Sequence, residues 1–232
     1  LLPRLRDPDF TRVFICALAE ATPVHEAADL QKDLRRAGIE PEAAFDDGDG
    51  RRLRFATNLP ELDIIRVRSF DVATFVAFGA AHLGVCGNDV LMEFDYPEIY
   101  APVDLGVGRC RLVVAEPKDM VGDDDPGTWS SLRVATKYPA LTRRHFAARG
   151  VQAECIKLNG ALELVPQLGL CRRIVDLVST GKTLKANGLV EVERIAEISS
   201  RLAVNRTAWK TCPAEIGHWI RKFREAINGG AA

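Results

Sequence analysis

This chain has no excess of positive or negative charge: 31 lysines and arginines stand against 32 aspartates and glutamates, a formal net charge of −1 over 232 residues. No global field draws in nucleic acid or anionic lipid, so any anion site has to be built locally. No run of about 18 uninterrupted apolar residues is present, and no signal peptide is read; neither a membrane span nor export is expected. The six cysteines (Cys16, Cys86, Cys110, Cys155, Cys171, Cys212) form no Cys-x-x-Cys pair. The four histidines (His25, His82, His145, His218) show no mutual metal spacing. These gaps argue against a structural zinc site and for buried, reduced thiols in a cytoplasmic protein. No histidine neighbours a serine nucleophile motif, which removes the triad hydrolases. A Walker loop and a Rossmann G-x-G-x-x-G are both absent, leaving a P-loop kinase or dehydrogenase without support. Nor does any repeat period of about 20–50 residues recur, so the chain is not a solenoid.

What is present is an ordinary globular composition, 47% hydrophobic and 27% charged, with length enough for one large domain or two small ones. Val13–Leu18 reads as a strand and Val24–Ala37 as an amphipathic helix stopped by Gly38. A basic strand start at Arg51–Phe55, a strand at Leu62–Val67 and a helix at Asp71–Phe78 capped by Asp71 follow. Leu83–Gly87 is a brief strand, and Asn88-Asp89 open the next helix. Beyond a strand at Cys110–Ala115 and an acidic surface insert at Asp119–Thr128, strands alternate with helices. The expected units are strand Arg133–Thr136, helix Pro139–Arg149, strand Val151–Leu158, helix Ala161–Leu168 and strand Ile174–Val178. Such alternation predicts a parallel α/β sheet. Strands at Glu191–Ile198 and Arg201–Asn205 and a helix at Pro213–Ile227 close the chain. The pattern predicts two α/β lobes, the first from residues 1–107 and 191–232, the second from 108–190, with ligands at strand carboxyl ends and between lobes.

The most informative stretch is Ile174-Val175-Asp176-Leu177-Val178-Ser179-Thr180-Gly181-Lys182-Thr183. A buried strand runs into a small-residue turn and then a helix, which leaves amides and a helix dipole facing whatever binds there. Lys182 adds a cation, and Asp176 at the rim suits ribose hydroxyls. The same pattern also describes a plain capped turn, with Ser179 or Thr180 as the cap. Arg51, Arg52, Arg66, Arg68 and Asp89 stand at strand ends of the first lobe, where arginine donors form planar clamps for phosphate. Glu163 follows Leu158-Asn159-Gly160; it reads either as a carboxylate at a helix start or as a group for sugar hydroxyls or a cationic sugar.

Several segments together resemble the ATP phosphoribosyltransferase family. Val67-Arg68-Ser69-Phe70-Asp71-Val72 and Leu83-Gly84-Val85-Cys86-Gly87-Asn88-Asp89 are similar to its Val-Arg-x-x-Asp-Ile and Leu-Gly-Ile-x-Gly-x-Asp runs. Arg133-Val134-Ala135-Thr136-Lys137-Tyr138-Pro139, Lys157–Glu163 and above all Asp176–Leu189 match further. The resemblance implies a two-lobed fold of the periplasmic-binding-protein type (type II), with mixed and parallel sheets flanked by helices. It implies Mg²⁺-dependent transfer of phosphoribosyl from phosphoribosyl pyrophosphate to N1 of ATP, opening histidine biosynthesis. Carried over, Asp176, Ser179, Thr180, Gly181, Lys182 and Thr183 bind phosphoribosyl pyrophosphate, with Glu163 and Asp176 as the catalytic pair at the ribose. Arg51, Arg68 and Asp89 serve nucleotide and pyrophosphate; Mg²⁺ comes with the substrate, without a protein metal site. The chain ends soon after Asn205, which implies the short form, working with a partner subunit similar to histidyl-tRNA synthetase. The assembly so implied is a hetero-octamer built on catalytic homodimers.

One departure stands out. The family's first strand leads into Leu-Pro-Lys-Gly-Arg, whereas Ala19-Glu20-Ala21-Thr22-Pro23 stands here, with Glu20 where a cation is expected. A carboxylate close to a phosphate costs on the order of 1 kcal/mol or more. Besides the active enzyme, two readings stay open: a paralogue that binds nucleotide without turnover, and a plain small-molecule binding protein of the same fold. His82 replaces the acidic residue usual before Leu-Gly and reads as a satisfied strand-end histidine.

Overall fold

The structure is a computed structural model; it describes residue 32, residues 34–45, 52–122 and 130–228, and the backbone of 13–18. It forms two compact units, one drawing on Leu1–Leu91, Asp95–Gly108 and Ser199–Ala232, the other on Met92–Phe94 and Arg109–Ile198. Among the described residues no helix is long and apolar enough to cross a membrane.

The first unit is built on six strands: β1 (Val13–Leu18), β2 (Arg54–Ala56), β3 (Leu62–Val67), β4 (Leu83–Gly87), β5 (Ile99–Asp104) and β11 (Ser200–Asn205). Their order is β2-β3-β1-β4-β11-β5. The inner three, β3, β1 and β4, run parallel; β2, β11 and β5 join antiparallel. Leu83–Cys86 of β4 and Leu202–Asn205 of β11 are buried without a break, the pattern of strands covered on both faces. Helix α1 (Ser69–Ala77) buries Val72, Ala73, Val76 and Ala77. In α2 (Asn88–Phe94) Asp89 and Val90 are buried. Asn205 ends β11 and caps α5 (Arg206–Thr211), its Oδ1 accepting from the Ala208 amide at 2.7 Å. Helix α6 (Pro213–Asn228) lays Ile216, Trp219, Ile220 and Phe223 into the same core as Phe55 and Ile64, at helical spacing.

The second unit carries β6 (Cys110–Pro117), β7 (Ser131–Thr136), β8 (Gln152–Lys157), β9 (Arg173–Val178) and β10 (Leu189–Ile198), ordered β10-β6-β9-β7-β8. Strand β7 is parallel to β8 and β9, while β6 runs antiparallel to β9 and β10. Helix α3 (Pro139–Ala147) follows β7 and α4 (Lys182–Ala186) follows β9. Val113, Ala115, Ala135, Ile174, Val178, Leu184 and Leu189 make a second core. The sheets are thus mixed, more antiparallel than strand–helix alternation alone predicts.

Some expectations change on contact with the structure. Residues 191–198, read from sequence as part of the first lobe, lie in the second unit, because β10 stays paired with β6 as far as Ile198 opposite Cys110. The helix expected over 161–168 is only a 3-10 turn, Leu162–Leu164. Ala161 enters it in the left-handed region at φ 54°, and Pro166 has no amide with which to continue a helix. Asp71 does not cap α1; it sits in the first turn, and the chain enters through Arg68, whose carbonyl accepts from the Asp71 and Val72 amides. Strand β5 and helix α5 carry no clear signal in sequence. Five cysteines (Cys86, Cys110, Cys155, Cys171, Cys212) are free thiols, Cys86 fully buried; the Cys16 side chain and residues 19–31 lie outside what the structure describes.

Candidate functional site

In the second unit the carboxyl ends of three parallel strands come side by side. Thr136 on β7 is level with Lys157 on β8 and Val175 on β9. The segments that leave these strands are Lys137-Tyr138, Leu158–Glu163 and Ser179–Thr183. Strand carboxyl ends are where α/β sheets gather ligand-binding groups.

Asp176 stands at the rim of β9, half-buried, with Oδ1 accepting from the Leu177 amide at 2.8 Å. Burial raises its pKa to about 6, and the negative charge of Glu163 pushes the same way. The Leu177 amide and the Lys137 cation pull it back. Glu163, half-buried in the 3-10 turn, and Lys137 therefore both lie within electrostatic reach of Asp176. The second predicted carboxylate thus bears electrostatically on the first, as does Lys137, whose motif was visible but whose role was not assigned. The lysine's turn is stiff: the Thr136 hydroxyl accepts from the Tyr138 amide at 2.9 Å, and the Glu93 carboxylate accepts from the Ala140 and Leu141 amides at 2.9 and 2.8 Å, capping α3.

The predicted phosphate turn follows directly. Ser179, Thr180, Lys182 and Thr183 are exposed and Gly181 is half-buried. Gly181 takes φ 73°, a left-handed conformation that its lack of a Cβ permits. The chain then enters α4, whose first-turn amides have no intrahelical acceptor; that of Lys182 donates to the Thr180 hydroxyl at 3.4 Å. Leu184 anchors α4 in the core beside Val178 and Leu189. Behind the turn, Arg111 of β6 donates from Nη1 to the Ser179 carbonyl at 3.1 Å and from Nε to Glu191 at 2.7 Å. Sequence reading had passed over Arg111 as a strand residue.

The first-unit candidates fare differently. Arg51 and the departing turn around Glu20 lie outside the described residues. Arg68 is exposed at the start of α1. Asp89 is buried in the first turn of α2, its Oδ1 lying 2.0 Å from where a Cβ on Gly87 would fall. Arg52 and Arg66 are engaged in local structure instead of standing ready as clamps. Arg52 pairs with Glu42 at 2.7 Å, and Arg66 stacks 4.9 Å from the Phe55 ring centroid while donating to the Phe45 carbonyl at 3.2 Å. His82 is buried just before β4, and burial lowers its pKa, so it is held neutral. Among the described residues no group of three or more His, Cys, Asp or Glu is placed to hold a metal ion.

A family model described as "HisG: ATP phosphoribosyltransferase" matches residues 68–225. An ATP phosphoribosyltransferase of Paramagnetospirillum magneticum is 68% identical over 215 residues, covering 93% of this chain and 97% of the relative. That of Rhodospirillum rubrum is 67% identical, over 93% of this chain and 91% of its own length. Among solved structures, the ATP phosphoribosyl transferase (HisG:HisZ) complex from Thermotoga maritima aligns at TM-score 0.77 and 28% identity, covering 94% of this chain and 99% of that one. The alkanesulfonate-binding protein SsuA from Xanthomonas axonopodis aligns at TM-score 0.54 and 12% identity, over 93% of this chain and 73% of its own, a likeness of fold alone.

Proposed function

This chain belongs to the ATP phosphoribosyltransferase family, and from that premise we propose how its residues divide the work. The enzyme moves the phosphoribosyl group of phosphoribosyl pyrophosphate onto N1 of ATP, giving phosphoribosyl-ATP and pyrophosphate, the first step of histidine biosynthesis. The likeness to a binding protein rests on fold only, whereas the relatives near 68% identity are named as transferases; this leaves the inactive-paralogue reading without support.

Glycosyl transfer of this kind loosens the bond to pyrophosphate before the new C–N bond is complete, so positive charge builds on the sugar ring. It calls for alignment, charge stabilisation and exclusion of water, with no side-chain nucleophile. The Ser179–Thr183 turn cradles the 5′-phosphate through backbone amides, hydroxyls and Lys182. Asp176 and Glu163 accept hydrogen bonds from the ribose hydroxyls and set negative charge beside the ring as it turns cationic. Adenine N1 attacks with its own lone pair, so no general base is needed. Arg68, Asp89 and Arg51 serve the nucleotide and pyrophosphate. Mg²⁺ would be held by the substrate's own phosphates, with no protein metal site called for, and would supply charge neutralisation at the pyrophosphate. A regulatory subunit similar to histidyl-tRNA synthetase is the proposed partner, around a catalytic homodimer in the cytoplasm; that the aligned Thermotoga maritima structure is a HisG:HisZ complex supports a partner subunit.

The observation that supports this reading is that the Ser179–Thr183 turn leaves β9 directly after the strand end that carries Asp176, whose carboxyl also feels the charge of Glu163. Its test is Thr180→Trp, assayed with and without the partner subunit. A bulky side chain on the exposed turn should abolish phosphoribosyl-ATP formation and phosphoribosyl pyrophosphate binding while leaving the melting temperature near wild type. Tight binding of phosphoribosyl pyrophosphate by Thr180→Trp would remove the phosphate role from this turn.

A further inference from the structure

Arg111 lies in the second unit, outside every motif that marks the site, yet one of its two contacts reaches the phosphate turn and the other a neighbouring strand. Its Nη1 donates to the Ser179 carbonyl at 3.1 Å, and its Nε donates to Glu191 at 2.7 Å. In the register of β6 with β9, Arg111 stands opposite Val178, the last strand residue before the turn. Glu191 comes from β10, on the other side of β6, so the arginine ties the turn to β6 and β10. Arg111 and Glu191 side chains are each 26% exposed, which leaves the pair less screened than one on the open surface.

A trans peptide holds its C=O and the following N–H in one plane, pointing in opposite directions. An arginine that fixes the Ser179 carbonyl on its own side therefore fixes the Thr180 amide on the other. Without that donor the peptide is free to turn, and a carbonyl oxygen facing a phosphate repels it. Glu191 orients the guanidinium fork and offsets its charge, so the pair acts through geometry more than through net attraction. Lysine, with a compact ammonium in place of a planar fork, is a poor substitute at a bridge of this kind.

On these grounds we infer that Arg111, oriented by Glu191, is a positioning residue for phosphoribosyl pyrophosphate: it presets the amide orientation of the Ser179–Thr183 turn. The inference rests on the reading of that turn as the phosphate cradle. The experiment compares Arg111→Ala, Arg111→Lys, Glu191→Gln and Thr180→Trp in the full chain with its partner subunit. It measures the dissociation constant for phosphoribosyl pyrophosphate, KM for ATP and melting temperature. Arg111→Ala should weaken phosphoribosyl pyrophosphate binding about ten- to hundredfold, as expected for losing a hydrogen bond from a charged donor, with KM for ATP unchanged. Arg111→Lys should recover only part of this, and Glu191→Gln, which keeps the arginine but loosens it, should show a smaller loss in the same direction. Should Arg111→Ala fail to fold, Glu191→Gln and Arg111→Lys carry the test alone. Wild-type affinity in the folded Arg111 variants, or full recovery with lysine, overturns the positioning role while Thr180→Trp still loses binding. If Thr180→Trp itself binds normally, the phosphate-cradle reading fails and this inference with it.

Discussion

Asp176→Asn should stabilise the protein while damaging it as an enzyme, and the pH dependence of the gain can be worked out in advance. Asp176 is held near a pKa of about 6 against an unperturbed 3.8, chiefly by burial. A carboxyl with a raised folded pKa binds its proton more tightly in the native state. Stability therefore falls as pH rises from about 3.8 to about 6 and stays depressed above that. Integrated over that window, the penalty is about 2 kcal/mol at pH 5 and about 3 kcal/mol at pH 7. Asparagine is nearly isosteric, carries no charge and can still accept the 2.8 Å hydrogen bond from the Leu177 amide. These figures are ceilings, since a buried amide also loses solvation. At about 2–4 °C per kcal/mol for a chain of this size, the melting temperature should rise by up to about 6–12 °C at pH 7. The assay is a pair of thermal melts, wild type against variant, at half-unit intervals from pH 4.5 to 8. The gain should grow between pH 5 and 6 and then level off. A gain independent of pH, or a loss at every pH, would refute the argument that Asp176 is a desolvated charge kept for its chemistry. Turnover at pH 7 should fall in the same variant, since an amide cannot lend negative charge to a cationic ribose.

Other outcomes follow from single features of the structure. Gly87→Ala should lower kcat/KM for ATP without shifting affinity for phosphoribosyl pyrophosphate, because the new Cβ would lie 2.0 Å from Asp89 Oδ1 and must displace that carboxylate; unchanged ATP kinetics would separate Asp89 from nucleotide binding. His82, whose folded pKa is lowered by burial, contributes stability that is present above its unfolded pKa near 6.5 and is lost as pH falls below it. His82→Gln should therefore lose less stability than wild type on acidification from pH 7 to 5.5, and parallel pH profiles would contradict this.

Local signals carried far in this chain. Apolar strand runs bounded by glycine and a small-residue turn located β3, β4 and β9 and the Ser179–Thr183 turn, because each depends on neighbours in sequence: a buried run, a left-handed Gly181, a helix start. Asp176 and Glu163 could be nominated the same way. Their coupling could not, since the desolvation that raises Asp176 depends on how β9 packs between β6 and β7. The errors have local causes too. Pro166 and the left-handed Ala161 reduce an apparently helical stretch to a single 3-10 turn, and β10 outruns its assigned boundary because its partner β6 continues beside it.

What sequence reading overvalued and what it missed both concern arginine, and for one reason. A guanidinium in a basic run looks equally available whether it faces a phosphate or an aromatic ring. Arg66 proves to be held by Phe55 and the Phe45 carbonyl, and Arg52 by Glu42; both stiffen the edge of the first sheet. Arg111 lies in an apolar strand segment and gave no sign of function, yet it reaches Ser179, 68 positions later in the chain, and Glu191, 80 positions later. Contacts at such separation are set by strand order, which alternation of elements does not specify. Once β6 is known to lie between β9 and β10, an arginine near its start is brought beside the end of β9, where the phosphate turn begins. The order of strands in this sheet thus decides which arginine can serve the site, and it selects one that composition and motif leave unmarked.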